Sequence, residues 1–292
     1  MANTSVAPLT IDGTRLDTLA WNITDLSGLR ILPGVRNADT VVPGRSGVIP
    51  ALSEDWDAPV KGLSFWVRGT DANGAVPVAG ARATFDANLD ALWRMFGVRH
   101  RLLDCRQTMG DGSVRQYLAK VIAEVMPQID LGYQATFRVG LLVPDVFDQD
   151  VNTVDWALAN PVMAAANAVT SLAGASAPIE DGIYLVDGPI TNPVLTDDLT
   201  GATVLLGAAL VAGDRWRLDT GAWSSTRGTT ANTSFTAAGP TSALAATSYS
   251  GSGARFLALR PDVAGAVKLR LGGTANTAAT QVQVRARRKY LP

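Results

Sequence analysis

From Ile179 to the C-terminus, the sequence alternates short runs of β-branched and aromatic residues with Gly, Asp, Asn and Pro. Runs such as YLVDG, TVLLG, DRWRLD and QVQVRARRKY each suit one strand, and turn residues separate them. Within these runs, Trp216 and Leu218 alternate with charged residues, as in a strand with one buried face. The pattern predicts an all-β domain over 181–292, built as a sandwich or jelly roll.

The first 150 residues predict strands around one helix, near 85–96. Apolar side chains recur there at helical spacing and form one stripe, made of Phe85, Leu89, Leu92, Trp93 and Phe96. Thr84 is expected to cap the start of this helix, and Gly97 is expected to end it. We interpret the stripe as the face that packs on a sheet.

Three long strands are predicted in the same region. The segment 62–69 (GLSFWVRG) precedes the helix, and 115–125 and 134–143 follow it. The last two are separated by turn residues, so they are expected to form an antiparallel hairpin. The fold class predicted for the chain is therefore mainly β with one helix, an α+β N-terminal domain followed by an all-β sandwich.

The segment 151–180 differs from both halves because it is rich in Ala, Ser and Asn. It suits either a short helix or an extended linker. The predicted division is a domain over 1–150, a linker over 151–180 and a second domain over 181–292.

The charge balance indicates no general attraction to polyanions. The 292 residues include 25 basic and 26 acidic side chains, a net charge of −1. Such a chain is not drawn to nucleic acid or to an anionic membrane by its overall charge. Its start lacks the apolar region of a signal peptide, and no run reaches the roughly 18 apolar residues of a membrane span. We expect synthesis in a cytoplasm and no membrane insertion.

The C-terminus carries the one basic cluster, formed by Arg285, Arg287, Arg288 and Lys289. It is interpreted either as a solvated final strand or as a contact with an acidic neighbour.

The counts of reactive side chains argue against most enzymes. Cys105 and His100 are the only residues of their types, so an intrachain disulfide and a cysteine zinc site are excluded. We predict that both are structural.

Carboxylates offer no better catalytic arrangement. The candidate pairs are Glu54 with Asp55 and Asp57, and Glu180 with Asp181, but near neighbours in sequence rarely oppose each other across a substrate. Asp145, Asp148 and Asp150 lack the calcium-loop spacing of an EF-hand and are expected to be solvated. The prediction is a protein without catalytic residues, cofactor or metal.

The segment 41–47 reads VVPGRSG. Its Pro-Gly pair favours a type II turn, because Pro fixes φ and Gly adopts the positive φ that this turn requires. Arg45 would project from that rigid turn. By itself, the segment also suits an ordinary β-turn.

Taken together, these segments resemble the distal tail proteins and related minor tail proteins of long-tailed bacteriophages. In that family, an N-terminal hairpin commonly ends in a turn of the V-P-G-R-x-G type. The residues that match this turn are Val42, Pro43, Gly44, Arg45 and Gly47. A strand, a helix and a long hairpin follow in the family's order, and the second half is similar to its C-terminal sandwich, of jelly-roll or galectin-like type. The stretch 226–253 departs from the family pattern.

The resemblance implies a structural protein of the virion. It would form a ring, usually a hexamer, at the distal end of the tail tube. Its neighbours would be the tail tube protein, the tape-measure protein and the tail-tip, hub or receptor-binding proteins. DNA would pass through the ring without being read. The turn residues would be candidates for the contact between ring subunits.

Two further interpretations stay open at this point. The sandwich could be a non-catalytic carbohydrate-binding module that attaches to a host surface, with Trp216 and Trp223 as candidate contacts for sugars or partners. A carboxylate enzyme is the third interpretation.

Overall fold

The computed structural model describes residues 9–25, 27–34, 40–41, 48–49, 56–122, 127–130, 133–250 and 257–292. It confirms the predicted fold class: the chain is mainly β, with one α-helix among the described residues and a β-sandwich. The chain divides into two compact units, Met1–Gln149 with Leu291–Pro292, and Asp150–Tyr290.

The first unit is a curled antiparallel sheet. Its strands are β1 (Leu9–Ile11), β2 (Thr14–Arg15), β3 (Trp21–Asp25), β4 (Thr40–Val41), β5 (Val48–Ile49), β6 (Val60–Arg68), β7 (Leu103–Thr108), β8 (Val114–Val121), β9 (Gln128–Asp130), β10 (Gln134–Leu142) and β11 (Asp148–Asp150). The main order is β2-β1-β7-β8-β10-β6-β3, with β9 against β10 and β11 against β8, while β4 and β5 pair separately. A short 3-10 turn covers Ser27–Leu29.

The helix α1 spans Ala81–Phe96 and packs on β6. Its buried residues, Phe85, Leu92 and Phe96, belong to the predicted stripe. Aromatic contacts join the helix to the sheet: the ring centroid of Phe96 lies 5.7 Å from that of Phe65, which stacks on Phe137 at 5.3 Å. The stripe therefore packs on a sheet, as predicted.

The C-terminal end of α1 lies where the sequence predicts it, but the N-terminal end does not. Gly97 ends the helix, and its N–H donates to the Trp93 carbonyl. The start lies earlier than predicted, after Gly80, because the segment ARA extends the helix by one turn. Thr84 is thus inside the first turn, and its hydroxyl donates to the Gly80 carbonyl at 2.9 Å instead of capping an N–H group.

The predicted antiparallel pairing of 115–125 with 134–143 is confirmed, although the described pairs are few. β8 and β10 are antiparallel, but their described pairing covers Leu141–Val121 and Leu142–Lys120. β8 pairs along its length with β7, and β10 pairs along its length with β6. Part of the predicted turn, Gln128–Asp130, forms the short strand β9, which also pairs with β10.

The second unit is a sandwich. Its strands are β12 (Val154–Ala159), β13 (Asn167–Ala168), β14 (Ile183–Asp187), β15 (Ile190–Asp197), β16 (Thr203–Leu206), β17 (Ala209–Leu210), β18 (Asp214–Asp219), β19 (Ser224–Thr229), β20 (Thr241–Ser242), β21 (Thr247–Ser250), β22 (Lys268–Thr274), β23 (Gln281–Ala286) and β24 (Lys289–Tyr290). One sheet has the order β12-β23-β14-β18-β19-β20, and the other has the order β13-β22-β15-β16-β21, with β17 against β15. Apolar side chains of both sheets form one buried cluster.

The predicted linker 151–180 is part of this sandwich and not a linker. β12 pairs over six residues with β23 and forms the edge of the first sheet. Its side chains alternate, so that Val154, Trp156 and Leu158 pack against the core. The Ala-rich remainder contains β13 and a 3-10 turn, Thr170–Leu172, whose Leu172 is buried.

The stretch 226–253, which departs from the family pattern, is ordered through its described part. It contains the end of β19, then β20, a 3-10 turn (Leu244–Ala246) and β21. The last of these pairs with β16, so the stretch contributes to both sheets. Residues 251–256 lie outside the described residues.

Candidate functional site

The predicted subunit contact lies in a hairpin whose two strands are described. β4 and β5 pair antiparallel, with Thr40 opposite Ile49 and Val41 opposite Val48. This pairing agrees with a β-hairpin at VVPGRSG. The candidate contact residues themselves lie outside the described residues: Val42, Pro43, Gly44, Arg45 and Gly47.

The two candidate sugar-contacting tryptophans have different environments. Trp216 is 0% exposed, lies in the sandwich core and donates its indole N–H to the Ser225 hydroxyl at 2.9 Å. It has no face available for a ligand, so its assignment as a contact residue is wrong. Trp223 is 57% exposed and lies between β18 and β19 with a positive φ of 55°. A surface contact is therefore possible at Trp223.

Ion pairs cross the outer face of the first sandwich sheet. Asp155 on β12 accepts two hydrogen bonds of 2.6 Å from Arg285 on β23. Further along the sheet, Asp187 on β14 pairs with Arg215 on β18, at 2.5 and 2.8 Å. These bidentate pairs join neighbouring strands through side chains as well as through the backbone.

A loop is attached to the same face by three arginines. Arg215 donates to the Thr233 carbonyl at 2.9 Å, and Arg217 donates to the Phe235 carbonyl at 3.3 Å. The guanidinium of Arg285 lies 4.5 Å from the centroid of the Phe235 ring. The arginines of β18 and β23 therefore hold the segment 230–239 against the sheet.

The basic C-terminal cluster has acidic neighbours within its own unit. Besides the Arg285 pair, Arg288 donates to Asp150 at 2.6 Å, and Lys289 lies 3.2 Å from Asp181. The second interpretation of this cluster, contact with acidic groups, therefore holds for three of its members, and the groups belong to the same chain.

A buried ion pair lies in the first unit. The Lys61 side chain is 0% exposed, and its Nζ lies 2.5 Å from Oδ1 of Asp148, which is also buried. Nζ also lies 3.8 Å from the centroid of the Tyr117 ring. Burial lowers the pKa of Lys61 and raises the pKa of Asp148, although the attraction between the two charges opposes both shifts.

Cys105 lies near this pair and is not activated. Burial is the main cause that raises its pKa to about 12, so the thiol is protonated at neutral pH. His100 is exposed, at the end of the segment after α1. The interpretation of Cys105 as structural agrees with its position in the core.

Of the acidic residues considered for calcium, Asp145 is exposed, but Asp148 and Asp150 are buried, so the expectation that all three are solvated is wrong. Asp148 pairs with Lys61, whereas Asp150 accepts from Arg288 and from the Tyr290 hydroxyl. Among the described residues, no group of three or more His, Cys, Asp or Glu side chains is placed to hold a metal ion. Glu180 is exposed, and Glu54, Asp55 and Glu124 lie outside the described part of the chain.

No protein-family model matches this sequence, and no curated protein matches it. Within the described ranges, no helix is both long and apolar enough to cross a membrane.

The sequence reasoning missed two of these features. The alternation of DRWRLD was recognised as a half-buried strand, but the aspartates that pair with its arginines lie on other strands. The buried pair joins residues 87 positions apart, and no local signal connects them. A lysine within the apolar run of β6 was the one available sign.

Proposed function

We propose that this protein is a structural component of a bacteriophage tail that assembles into a ring at the distal end of the tail tube. The observation that carries the proposal is the order of elements. A hairpin brackets VVPGRSG, the long strand β6 follows it, and α1 then packs on that strand. The same order carries the resemblance to distal tail proteins.

The second unit supports the same proposal. It is an all-β sandwich that follows the helix-containing unit, as the resemblance implies. In this arrangement the first unit forms the ring, which in that family is usually a hexamer, in contact with tail tube and tape-measure proteins. The second unit holds tail-tip, hub or receptor-binding proteins.

The ring contact is proposed at the VVPGRSG turn. A closed ring requires a heterologous interface, in which two different patches of a subunit meet at every joint. A turn fixed by Pro43 and Gly44 loses little conformational entropy on docking. In this proposal Arg45 binds a carboxylate of the neighbour, for which the acidic stretch 54–57 is a candidate.

The test is the mass of wild-type and Arg45→Ala protein in solution, measured by light scattering. Truncating one member of a buried interface pair costs about 2–5 kcal/mol, so we expect the variant to lose the ring and keep a folded subunit. Arg82→Ala, on the exposed surface of α1, is the matched control and should leave the mass unchanged. A variant ring that stays intact at the same concentration would exclude Arg45 from the contact.

The exposure of Trp223 favours a second candidate, a carbohydrate-binding module without catalysis. Its indole ring could stack on a sugar, whereas Trp216 cannot. Glycan binding by the full chain, compared with Trp223→Ala, tests this candidate. Leu199→Ala is the matched control, since Leu199 is also 57% exposed in the same unit. Equal binding by wild type and Trp223→Ala would contradict it.

A further inference from the structure

The buried pair of the first unit brings an amine and a carboxyl group together in a water-poor environment. Nζ of Lys61 lies 2.5 Å from Oδ1 of Asp148, and both side chains lie in the interior. We propose that these two side chains join covalently, in an intramolecular isopeptide bond between Lys61 Nζ and Asp148 Cγ. This inference rests on the interior of the first unit and not on the proposed function.

The backbone fixes both reacting groups. Lys61 belongs to β6, which pairs with β10 through nine residues, including Lys61 with Leu141. Asp148 belongs to β11, which lies against β8. The ring of Tyr117, on β8, packs against the lysine nitrogen at 3.8 Å. Groups held this close by rigid strands react as if at a high effective concentration.

The reactive forms are the neutral amine and the neutral carboxylic acid. Burial disfavours the charged form of each group, lowering the pKa of Lys61 and raising that of Asp148. The charges of Arg115 and Arg30 act against this on Asp148, as does Lys61 itself, but burial is the largest influence. Transfer of one proton from the ammonium to the carboxylate converts the ion pair into the reactive pair.

The bond-forming step is balanced without any other reagent. The lone pair of Nζ attacks Cγ of the protonated Asp148 and gives a tetrahedral adduct. A proton then moves from nitrogen to a hydroxyl of that adduct, the C–O bond breaks and one water leaves. The product is an amide that links β6 to β11. No group is oxidised or reduced.

The experiment is the intact mass of the full-length wild-type protein, purified folded and then denatured for mass spectrometry. We expect a mass lower by one water than the sequence requires, after allowance for removal of Met1. Digestion with trypsin should give a branched peptide that joins the segments around Lys61 and Asp148, without cleavage after Lys61. A wild-type mass equal to the sequence mass, after prolonged incubation in the folded state, would overturn the proposal.

Two variants distinguish formation of this bond from a loss of water elsewhere in the chain. Lys61→Arg keeps the positive charge but cannot form the amide, so its mass should equal that of its sequence. If Lys61→Arg also lacks one water, the loss occurs elsewhere and the proposal fails. Asp148→Asn keeps an acyl group with ammonia as the leaving group, and its mass should fall by one ammonia. The branched wild-type peptide requires no variant, so it decides the question even if a variant does not fold.

Discussion

The two units place their charged side chains differently. The first unit holds a lysine and an aspartate in its interior, beside the ring of Tyr117. The second unit sets arginine–aspartate pairs across an outer sheet face, and its fully buried carboxylate, Asp197, accepts from the N–H and hydroxyl of Thr200 and from the N–H of Arg260. The lysine and aspartate of the first unit are thus desolvated together in the core, whereas the charged side chains of the second unit are supported by several hydrogen bonds or by solvent.

This difference teaches where a single substitution should matter. A buried charge that loses its partner is left without solvation, which costs several kcal/mol. An exposed pair contributes about 0–1 kcal/mol, because water replaces the lost partner. The number of ion pairs in a unit therefore says less about its stability than their depth.

The largest effect is expected from Asp148→Ala. It strands the Lys61 amine in the core and should lower the stability of the first unit by at least about 3–5 kcal/mol. Hydrogen exchange resolved by peptide measures each unit separately. The matched control, Asp155→Ala, removes a partner that is 52% exposed and should cost no more than about 1 kcal/mol. Equal losses of stability in the two variants would contradict the difference that we infer between the two units.

A similar loss of stability is expected when the apolar core of the second unit is truncated. Trp216→Ala removes a fully buried ring and leaves a cavity, which costs about 3–5 kcal/mol. Trp223→Ala, at the exposed turn, should change the free energy of unfolding by less than about 0.5 kcal/mol. Urea denaturation of the two variants checks both values. A strongly destabilised Trp223 variant would show that this side chain supports the fold and is not available as a contact.

The smallest expected effect on stability is the pH-dependent contribution of Asp12. The hydrogen bonds from Arg101 lower the pKa of Asp12 below its ordinary value of 3.8. Because the folded pKa is the lower one, this carboxylate stabilises the fold above about pH 4, and the contribution disappears as the pH falls through the folded pKa. Asp12→Asn should reduce stability at pH 7 by less than about 1 kcal/mol, and its difference from wild type should vanish in acid. Denaturation midpoints between pH 2 and pH 7 test the sign, and a difference that grows in acid would contradict it.

Several elements could be predicted because their signals are local. The apolar stripe of α1 and Gly97 at its end are readable within a few residues, and so is the strand at 62–69. The edge strand β12 was missed because small Ala side chains obscured the alternation of Val154, Trp156 and Leu158. The antiparallel pairing of β8 with β10 was predicted from the turn residues between them, but the short strand β9 was missed because it lies within that turn-rich stretch.

The candidate sites depend still more on distant contacts. Trp216 and Trp223 are seven residues apart and equally aromatic in sequence, yet one faces the core and the other lies on the surface. The partners of Lys61, Asp155 and Asp187 come from other strands, so their pairing follows from sheet order. Sequence patterns predict which face of a strand is buried more readily than they predict which charged residues will meet.

Negative-stain electron microscopy of the purified full-length protein tests the central claim most directly. The account predicts closed rings with an open centre, each built from several copies of the chain, and it predicts that Arg45→Ala gives separate folded particles instead. Images of single-chain particles at protein concentrations where the fold is intact would contradict the proposal that this protein forms a tail ring.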